Sequence, residues 1–558
     1  MSIFVLMVII FIIGYLAIAL EHPLKIDKAP TALFMGSALW ALYALNGPEI
    51  LKLGHSLSWE HFLETHELEG LFDKFKQGVL AGHDLQHFYH SVTEFITHHE
   101  VLEHLADIST ILFFLLGAMT IVEIVDQHEG FKIITDKIKT TNKVKLLWVL
   151  SFLTFFMSAV LDNLTTTIVI IALLRKLIGD QKTRWFYAAM VVVAANAGGA
   201  WSPIGDVTTI MLWIGGQVTT VNIILKLIFP SLITMIIPLI ILSFIMKGNV
   251  ERPEINLEEK EELTTPGQQM LMLILGVSAL LFVPVYKTFT HLPPYLGMVF
   301  GLSVIWITTE LMHKEKKHKI PGFKLTVSEI LRRVDIPTIF FFLGILSAVA
   351  ALQSAGHLDL LARTMKEAGL GVYAVSIIIG LLSAVVDNVP LVAASMGMYP
   401  IDPFHVQFMQ DGIFWELIAY TAGTGGSILI VGSAAGVAAM GLEKIDFIWY
   451  MKKISLLALI GYFAGVAAYY VQEQFFEVKL ETETISLNDL PTTSKEFLQK
   501  KYADYKVEEV DMWKKHDKTV GYTINLKKGD EEIQAQFLAT GRFFDVKTMD
   551  EIHMEDGE

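Results

Sequence analysis

Two stretches of the chain share one frame, Ser158-Ala159-Val160-Leu161-Asp162-Asn163 and Ser383-Ala384-Val385-Val386-Asp387-Asn388. Each sets an aspartate inside a long apolar run. A carboxylate at bilayer depth is costly unless it is protonated or paired with a cation, so such an acid is a functional-site candidate by default. Two at matching positions suggest a duplicated ion site. An Asp-Asn pair also suits a helix N-cap, the bland alternative at either position alone.

Composition sets the class around these motifs. The 558 residues are 53% hydrophobic, with a mean hydropathy of +0.50. Many apolar stretches reach about 20 residues, the length of a spanning helix. The formal charge of −15 is unevenly placed: residues 47–107 hold 3 basic and 11 acidic residues, and residues 473–558 hold 12 and 20, which leaves the rest near neutral. The acidity therefore belongs to two water-exposed appendages and by itself says nothing about a partner; no nucleic-acid partner is expected. With no cysteine, disulfides, thiolate metal sites and cysteine nucleophiles are excluded.

The first apolar run, Ser2 to Leu20, lacks a basic leader and is followed by Lys25 and Lys28, so it reads as a retained helix. Basic residues crowd the connections at 132–145, 175–184 and 314–333, the last with Lys314, Lys316, Lys317, Lys319, Lys324, Arg332 and Arg333. The positive-inside rule makes these cytoplasmic. Residues 144–176 then have both ends inside, and 33 residues cannot supply two spanning helices of about 20 plus a turn. A re-entrant hairpin with Asp162-Asn163 near its tip fits. Residues 371–400 are followed by Asp402 and Asp411 with no lysine or arginine, which places that hairpin's ends outside. The two hairpins would enter from opposite faces.

The repeat extends further. Asp107-Ile108-Ser109-Thr110-Ile111 matches Asp335-Ile336-Pro337-Thr338-Ile339, and Asn196-Ala197-Gly198 is paired with Thr421-Ala422-Gly423. Each hairpin is followed by an apolar segment interrupted by glycine, Gly198-Gly199 through Gly205-Asp206 in one half and Gly423-Thr424-Gly425-Gly426-Ser427 in the other. Both read as discontinuous helices, whose freed carbonyls and helix ends can serve an ion near the midplane. The expected fold is an all-α polytopic membrane protein of two inverted repeats, with a small C-terminal α+β domain. Its parts are two N-terminal helices (1–46), an acidic His-rich extracytoplasmic loop (47–107), a first repeat (108–246) with hairpin 144–176 and broken helix 184–218, a linker with two spans (247–333), a second repeat (334–472) with hairpin 371–400 and broken helix 412–446, and the domain at 478–558.

From about residue 10 to 470 the chain resembles the NhaD sodium/proton antiporters of the ion transporter superfamily. The resemblance rests on Ala19-Leu20-Glu21-His22-Pro23, on Phe114-Leu115-Leu116-Gly117-Ala118-Met119-Thr120-Ile121-Val122-Glu123, on the two Asp-Asn hairpins, and on Asn196-Ala197-Gly198-Gly199 with Asp206. It implies exchange of Na+ or Li+ for H+ in a bacterial cytoplasmic membrane, no cofactor, and a homodimer. It also implies functional roles for Asp162, Asn163, Asn196, Asp206, Thr208, Asp335, Asp387 and Asn388. Na+ prefers several oxygen ligands, and aspartate beside asparagine and threonine supplies them. On this reading Asp162, Asp206 and Asp387 take Na+ or a proton, and competition for one carboxylate couples the fluxes. Asn163, Asn196, Thr208 and Asn388 complete the shell. Thr165, Asp335, Glu416 and Ser427 are accessory candidates, Glu416 as a proton carrier or an interhelical hydrogen-bond partner and Asp335 as an ion-site residue or a helix start.

Nine of the 18 histidines fall in 47–107, among them His83, His87 and His90 at helical spacing. A solvated acidic face is the plainer account, since no three of them form a distinctive zinc pattern. His98, His99 and His104, expected just before the third helix, are with Glu123 the candidates for pH regulation. Residues 478–558 change character: Pro491-Thr492-Thr493-Ser494 leads a short helix, and Val520 to Leu526 and Ile533 to Phe537 alternate as strands. With Gly541-Arg542-Phe543-Phe544 they resemble PepSY-like periplasmic modules, and counting crossings with Lys452 and Lys453 inside places the domain outside the cytoplasm, as a regulatory module or one that binds an unknown partner. The N-terminus is expected on the same side. The rival is an anion transporter of the same superfamily carrying citrate, a dicarboxylate or arsenite, but an anion site wants arginine and free helix N-termini where this chain puts aspartates. An enzyme is not expected, because no nucleotide loop, catalytic triad or metalloprotease motif is present.

Overall fold

The computed structural model describes residues 2–19, 24–66, 68–135, 137–253, 264–319, 325–475, 480–515, 518–529 and 531–548. Most of the Ala19 to Pro23 motif and Lys324 lie outside them. Two compact units emerge: residues 1–399 with 415–469, and residues 400–414 with 470–558.

The first unit is helical. Helices α1 (Ile3–Ala19) and α2 (Lys28–Leu51) open it. The segment expected as a loop at 47–107 is instead built of helices α3 (Leu57–Thr65), α4 (Glu69–Lys76) and α5 (Gly82–Glu94). A π-turn, Phe95–Glu100, carries α5 into α6 (Val101–Gln127). Its amphipathic turns bury Trp59, Phe72, Phe88 and Phe95 together while most of the described acids and histidines point outward, Glu100 being buried. Among the described residues seven helices are long and apolar enough to cross a membrane, Gly82–Gln127 being the first. This makes the chain a multi-pass membrane protein.

The first hairpin is α7 (Lys143–Leu161) and α8 (Asn163–Leu177), parted by one residue, Asp162. Asp162 sits at φ 74°, ψ 163°, a region that L side chains rarely adopt, and its carboxylate caps α8 through Thr165 N (2.8 Å) and Oγ1 (2.9 Å). The first broken helix is α9 (Gln181–Ala200) and α10 (Val207–Ile214), which restarts on a capping box of Asp206 and Thr209. After α11 (Thr220–Ile245), α12 (Pro266–Thr290) and α13 (Pro294–Lys319), the pattern recurs. Helices α14 (Ile336–Ser354) and α15 (His357–Glu367) precede a second hairpin of α16 (Val372–Leu382) and α17 (Asn388–Met398). A second broken helix follows, α18 (Ile413–Gly425) and α19 (Ala434–Glu443), and α20 (Leu456–Glu473) comes last.

Equivalent contacts fix the register between the halves. Ser158 Oγ donates to Ala195 O (2.6 Å), as Ser383 Oγ does to Ala422 O (2.7 Å). A side-chain carbon at Gly198 would strike Phe155 O, and one at Gly425 would strike Gly380 O, so in each half the hairpin's first helix and the broken helix touch backbone to backbone. Gly199 faces Gly205 as Gly426 faces Gly432. These contacts correct the pairing read from sequence. Asn196 corresponds to Gly423 rather than Thr421, and Asp206 corresponds to Ser433, which caps α19 through Gly436 N (3.1 Å).

The second unit carries a five-stranded antiparallel sheet in sequential order, β1 (Glu481–Thr484), β2 (Lys506–Lys515), β3 (Lys518–Lys528), β4 (Glu531–Leu538) and β5 (Phe543–Thr548). Helix α21 (Thr492–Lys501) contributes Leu498 to a core with Val510, Ile524, Leu526, Ala535 and Phe537. Sequence placed this domain at 478–558 alone, yet it also holds residues 400–414. Phe404 lies over Gly521 and packs against Trp513 and Phe544, with ring centroids 5.8 and 5.9 Å away. Asp402 Oδ2 meets His405 Nδ1 at 2.7 Å and Lys547 Nζ at 3.9 Å. Burial pushes the Asp402 carboxyl up, but the His405 hydrogen bond and the two cationic neighbours outweigh it and hold it below the usual carboxylate range.

Candidate functional site

Asp206 is the hub. Its position follows from the break in α9–α10, where Gly199 and Gly205 touch and leave no room for side chains, so that the chain turns back and restarts the helix on Asp206. The carboxylate is 2% exposed. Its Oδ1 accepts from Thr208 N (3.1 Å), and its Oδ2 accepts from Asn163 Nδ2 (2.8 Å) and from Asn388 Nδ2 (3.4 Å). One oxygen thus gathers the asparagines of both hairpins. Asn163 Nδ2 also reaches Asn196 Oδ1 (3.1 Å), and Asn196 Nδ2 donates to Ser427 and Ser433 Oγ, both at 2.9 Å. The cluster therefore spans both hairpins and both broken helices. Of the residues expected from sequence it unites Asn163, Asn196, Asp206, Thr208, Asn388 and Ser427. It adds Ser433, which a comparison anchored on the paired glycines would have aligned with Asp206.

The aspartates of the Asp-Asn pairs take other positions. Each caps its helix, so the bland reading of the motif describes the aspartates, while the asparagines reach the hub. Asp162 faces a cavity of about 480 Å³ lined also by Asn163, Thr165, Lys28 and Asp335. Asp387 caps α17 through Val389 N (3.2 Å), and its Oδ2 lies 3.7 Å from Lys28 Nζ. Asp335 is exposed and starts α14, accepting from Thr338 N (3.2 Å) and Oγ1 (2.6 Å).

The remaining candidates stand apart from the cluster's hydrogen bonds. Glu416, 1% exposed, accepts from Asn222 Nδ2 and Tyr469 Oη, both at 2.5 Å. His98, His99 and His104 do not precede a helix but lie inside the continuous run from Gly82 to Gln127. His104 Nε2 meets Ser354 Oγ (3.1 Å) and Glu100 (3.7 Å), His99 meets Glu103 (3.4 Å), and His98 is exposed. Glu123 accepts from Gln127, which in turn accepts from Arg333.

Sequence reasoning missed a second polar cluster. Glu443 at the end of α19 is 1% exposed in its side chain and takes Arg175 Nε on one oxygen (2.7 Å) and Arg184 Nε on the other (2.9 Å). Its carbonyl accepts from Gln181 and Trp185. The second broken helix is thereby tied to the end of α8 and the start of α9. Nothing local announces Glu443 in sequence, since its partners lie some 260 residues away.

The chemistry of the hub is oxygen-rich and carries a formal negative charge. The amide oxygens of Asn163 and Asn388 accept no hydrogen bond among the described residues, so each amide can turn an oxygen toward a cation. Hard cations favour such a set.

Comparison with known proteins gives concordant relatives. Residues 85–425 match the profile of the CitMHS family, described as citrate transporter. A sodium/proton antiporter 1 from Arabidopsis thaliana is 42% identical over 85% of this chain and 73% of its own. Sodium/proton antiporter 2 of the same plant is 41% identical over 84% of this chain and 100% of its own. The Na(+)/H(+) antiporter NhaD of Vibrio parahaemolyticus is 31% identical over 69% and 94%.

Proposed function

We propose, from the premise that this chain belongs to the NhaD-type antiporters of the ion transporter superfamily and to the CitMHS family, that it exchanges Na+ or Li+ for H+ across the cytoplasmic membrane. The observation that carries the reading is the hub: one buried carboxylate, Asp206, reached by an asparagine from each hairpin. A buried charge needs a partner. A proton or a desolvated sodium ion meets that need, and the two exclude each other. Asn163, Asn388 and Asn196 turn oxygens to the ion, Ser427 and Ser433 hold Asn196, and the Thr208 amide steadies Asp206 when it is ionised. Asp162 and Asp387 flank the path and take either ion on its way.

The construction supports alternating access. Hub ligands come from four elements in two repeats, so a rocking of one inverted repeat, with its re-entrant hairpin, against the other opens the site to one face at a time. Binding energy from ligands shared by the repeats is complete only when they close around an ion or proton, which suppresses movement of the empty, charged site. The N-terminus and the sheet domain lie outside the cytoplasm, and the functional unit is a homodimer.

The test is pH-gradient dissipation in inside-out vesicles from an antiporter-deficient host, with Na+, Li+, K+ or citrate added. Na+ and Li+ should dissipate the gradient in the wild type, and Asp206→Asn, Asp162→Asn and Asp387→Asn should abolish the response while remaining in the membrane. A response to citrate without one to Na+ would assign the fold to an anion carrier and sink the cation reading.

A further inference from the structure

We infer that Lys28 is a built-in cation that occupies Asp387 until sodium displaces it, and so sets the sodium concentration at which exchange begins. The inference rests on the proposed role of Asp387 as a sodium ligand. Lys28 is the first residue of α2, fixed there because Asp27 caps the helix through Ala29 N (2.8 Å). Its ammonium lies 3.7 Å from Asp387 Oδ2 and 4.3 Å from the centre of the Phe341 ring, with the two side chains 23% and 17% exposed.

The geometry distinguishes this pair from a structural ion pair. Glu443 holds its two arginines at 2.7 and 2.9 Å, within hydrogen-bonding range, whereas 3.7 Å leaves the Lys28–Asp387 pair joined by charge alone. Such a pair is weak and readily exchanged. The Phe341 face offers the released ammonium a second resting place. Among the described residues the hydrogen-bond donors to Asp387 are uncharged: Oδ1 takes Val389 N, and its carbonyl takes the Tyr15 hydroxyl from α1 (3.3 Å). Among the described residues Lys28 is also the one cation lining the cavity that Asp162 faces from the first hairpin and Asp335 faces from α14. At Asp387, an ammonium and an arriving sodium ion compete for the same carboxylate oxygens, and each repels the other.

The competition has a sign. Lys28→Gln removes the rival charge and should lower the half-saturating Na+ concentration by about twofold to fivefold, the effect of losing a weak ion pair. Lys28→Arg, whose planar fork grips a carboxylate in two places, should raise it. In an Asp387→Asn background neither change should alter sodium-dependent thermal stabilisation of the purified protein, because the contested oxygens are gone. The experiment measures half-saturation in inside-out vesicles and sodium-dependent stabilisation in detergent for wild type, Lys28→Gln and Lys28→Arg. Opposite shifts in the two variants support the inference. An unchanged or raised half-saturation in Lys28→Gln, with a wild type that responds to Na+, overturns it. A wild type that neither responds to Na+ nor is stabilised by it overturns the proposed function instead.

Discussion

Asp162 offers a way to weigh backbone strain against capping at one residue. Its φ of 74° with ψ of 163° falls where glycine is at ease and other residues are strained by about 1–3 kcal/mol. Asp387, at the equivalent position, has φ −49° and ψ 134°, which any residue adopts. Replacing either aspartate by alanine or glycine removes the carboxylate and its cap alike. The two replacements then differ through three contributions: glycine caps better than alanine, it loses more freedom on folding, and at residue 162 alone it escapes the strain. The first two are common to both sites, so subtracting the glycine–alanine difference at 387 from that at 162 isolates the strain. We expect Asp162→Gly to exceed Asp162→Ala by about 1–3 kcal/mol more than Asp387→Gly exceeds Asp387→Ala. Reversible unfolding by SDS in mixed micelles, with all four variants at one pH, reads this as shifts in midpoint. Equal differences at the two sites would refute the strain argument, whatever the variants do to transport.

Three further outcomes follow from the packing. Gly425→Ala should destabilise the protein by about 1–3 kcal/mol, because the added carbon meets the Gly380 carbonyl and two helix backbones must part; the same unfolding assay checks it, with the exposed, uncrowded Gly441→Ala as control. Glu443→Ala should cost about 3 kcal/mol, at the low end for a broken buried ion pair since Arg175 is half-exposed, and Glu443→Gln should recover part of it; wild-type stability in Glu443→Ala would show the pair to be idle. Phe404→Ala should expose residues 400–414 to limited proteolysis while the sheet core around Ile524 and Phe537 survives. Because the Asp402 carboxyl is held below its unfolded value, its hold on that loop is complete above about pH 4 and lost as pH falls through its folded pKa. Cleavage in the wild type should therefore increase toward acid pH, and Asp402→Asn should flatten that rise.

What sequence made legible was whatever the chain encodes locally or repeats. Helix pairs stand at Lys143–Leu177 and Val372–Met398, over the segments 144–176 and 371–400, because apolar length, basic flanks and the Asp-Asn frame mark them without reference to any partner. The broken helices were legible for a similar reason, since paired glycines in a long apolar segment leave few other structures. Long-range geometry was hidden. Two shared residues were enough to pair Asn196 with Thr421, but only the contacts Ser158–Ala195 and Ser383–Ala422 reveal that the glycines set the register and that a serine stands where the first half has its aspartate. That asymmetry matters to the chemistry. Had both halves carried an aspartate at the broken helix, two carboxylates would share the hub, and a single ion or proton could not neutralise them both. With Ser433 opposite Asp206, the duplicated scaffold contributes two asparagines and one charge. The second half's Asp-Asn acid, Asp387, stands off the hub, where Lys28, which sequence reading placed only as a flanking charge, already waits.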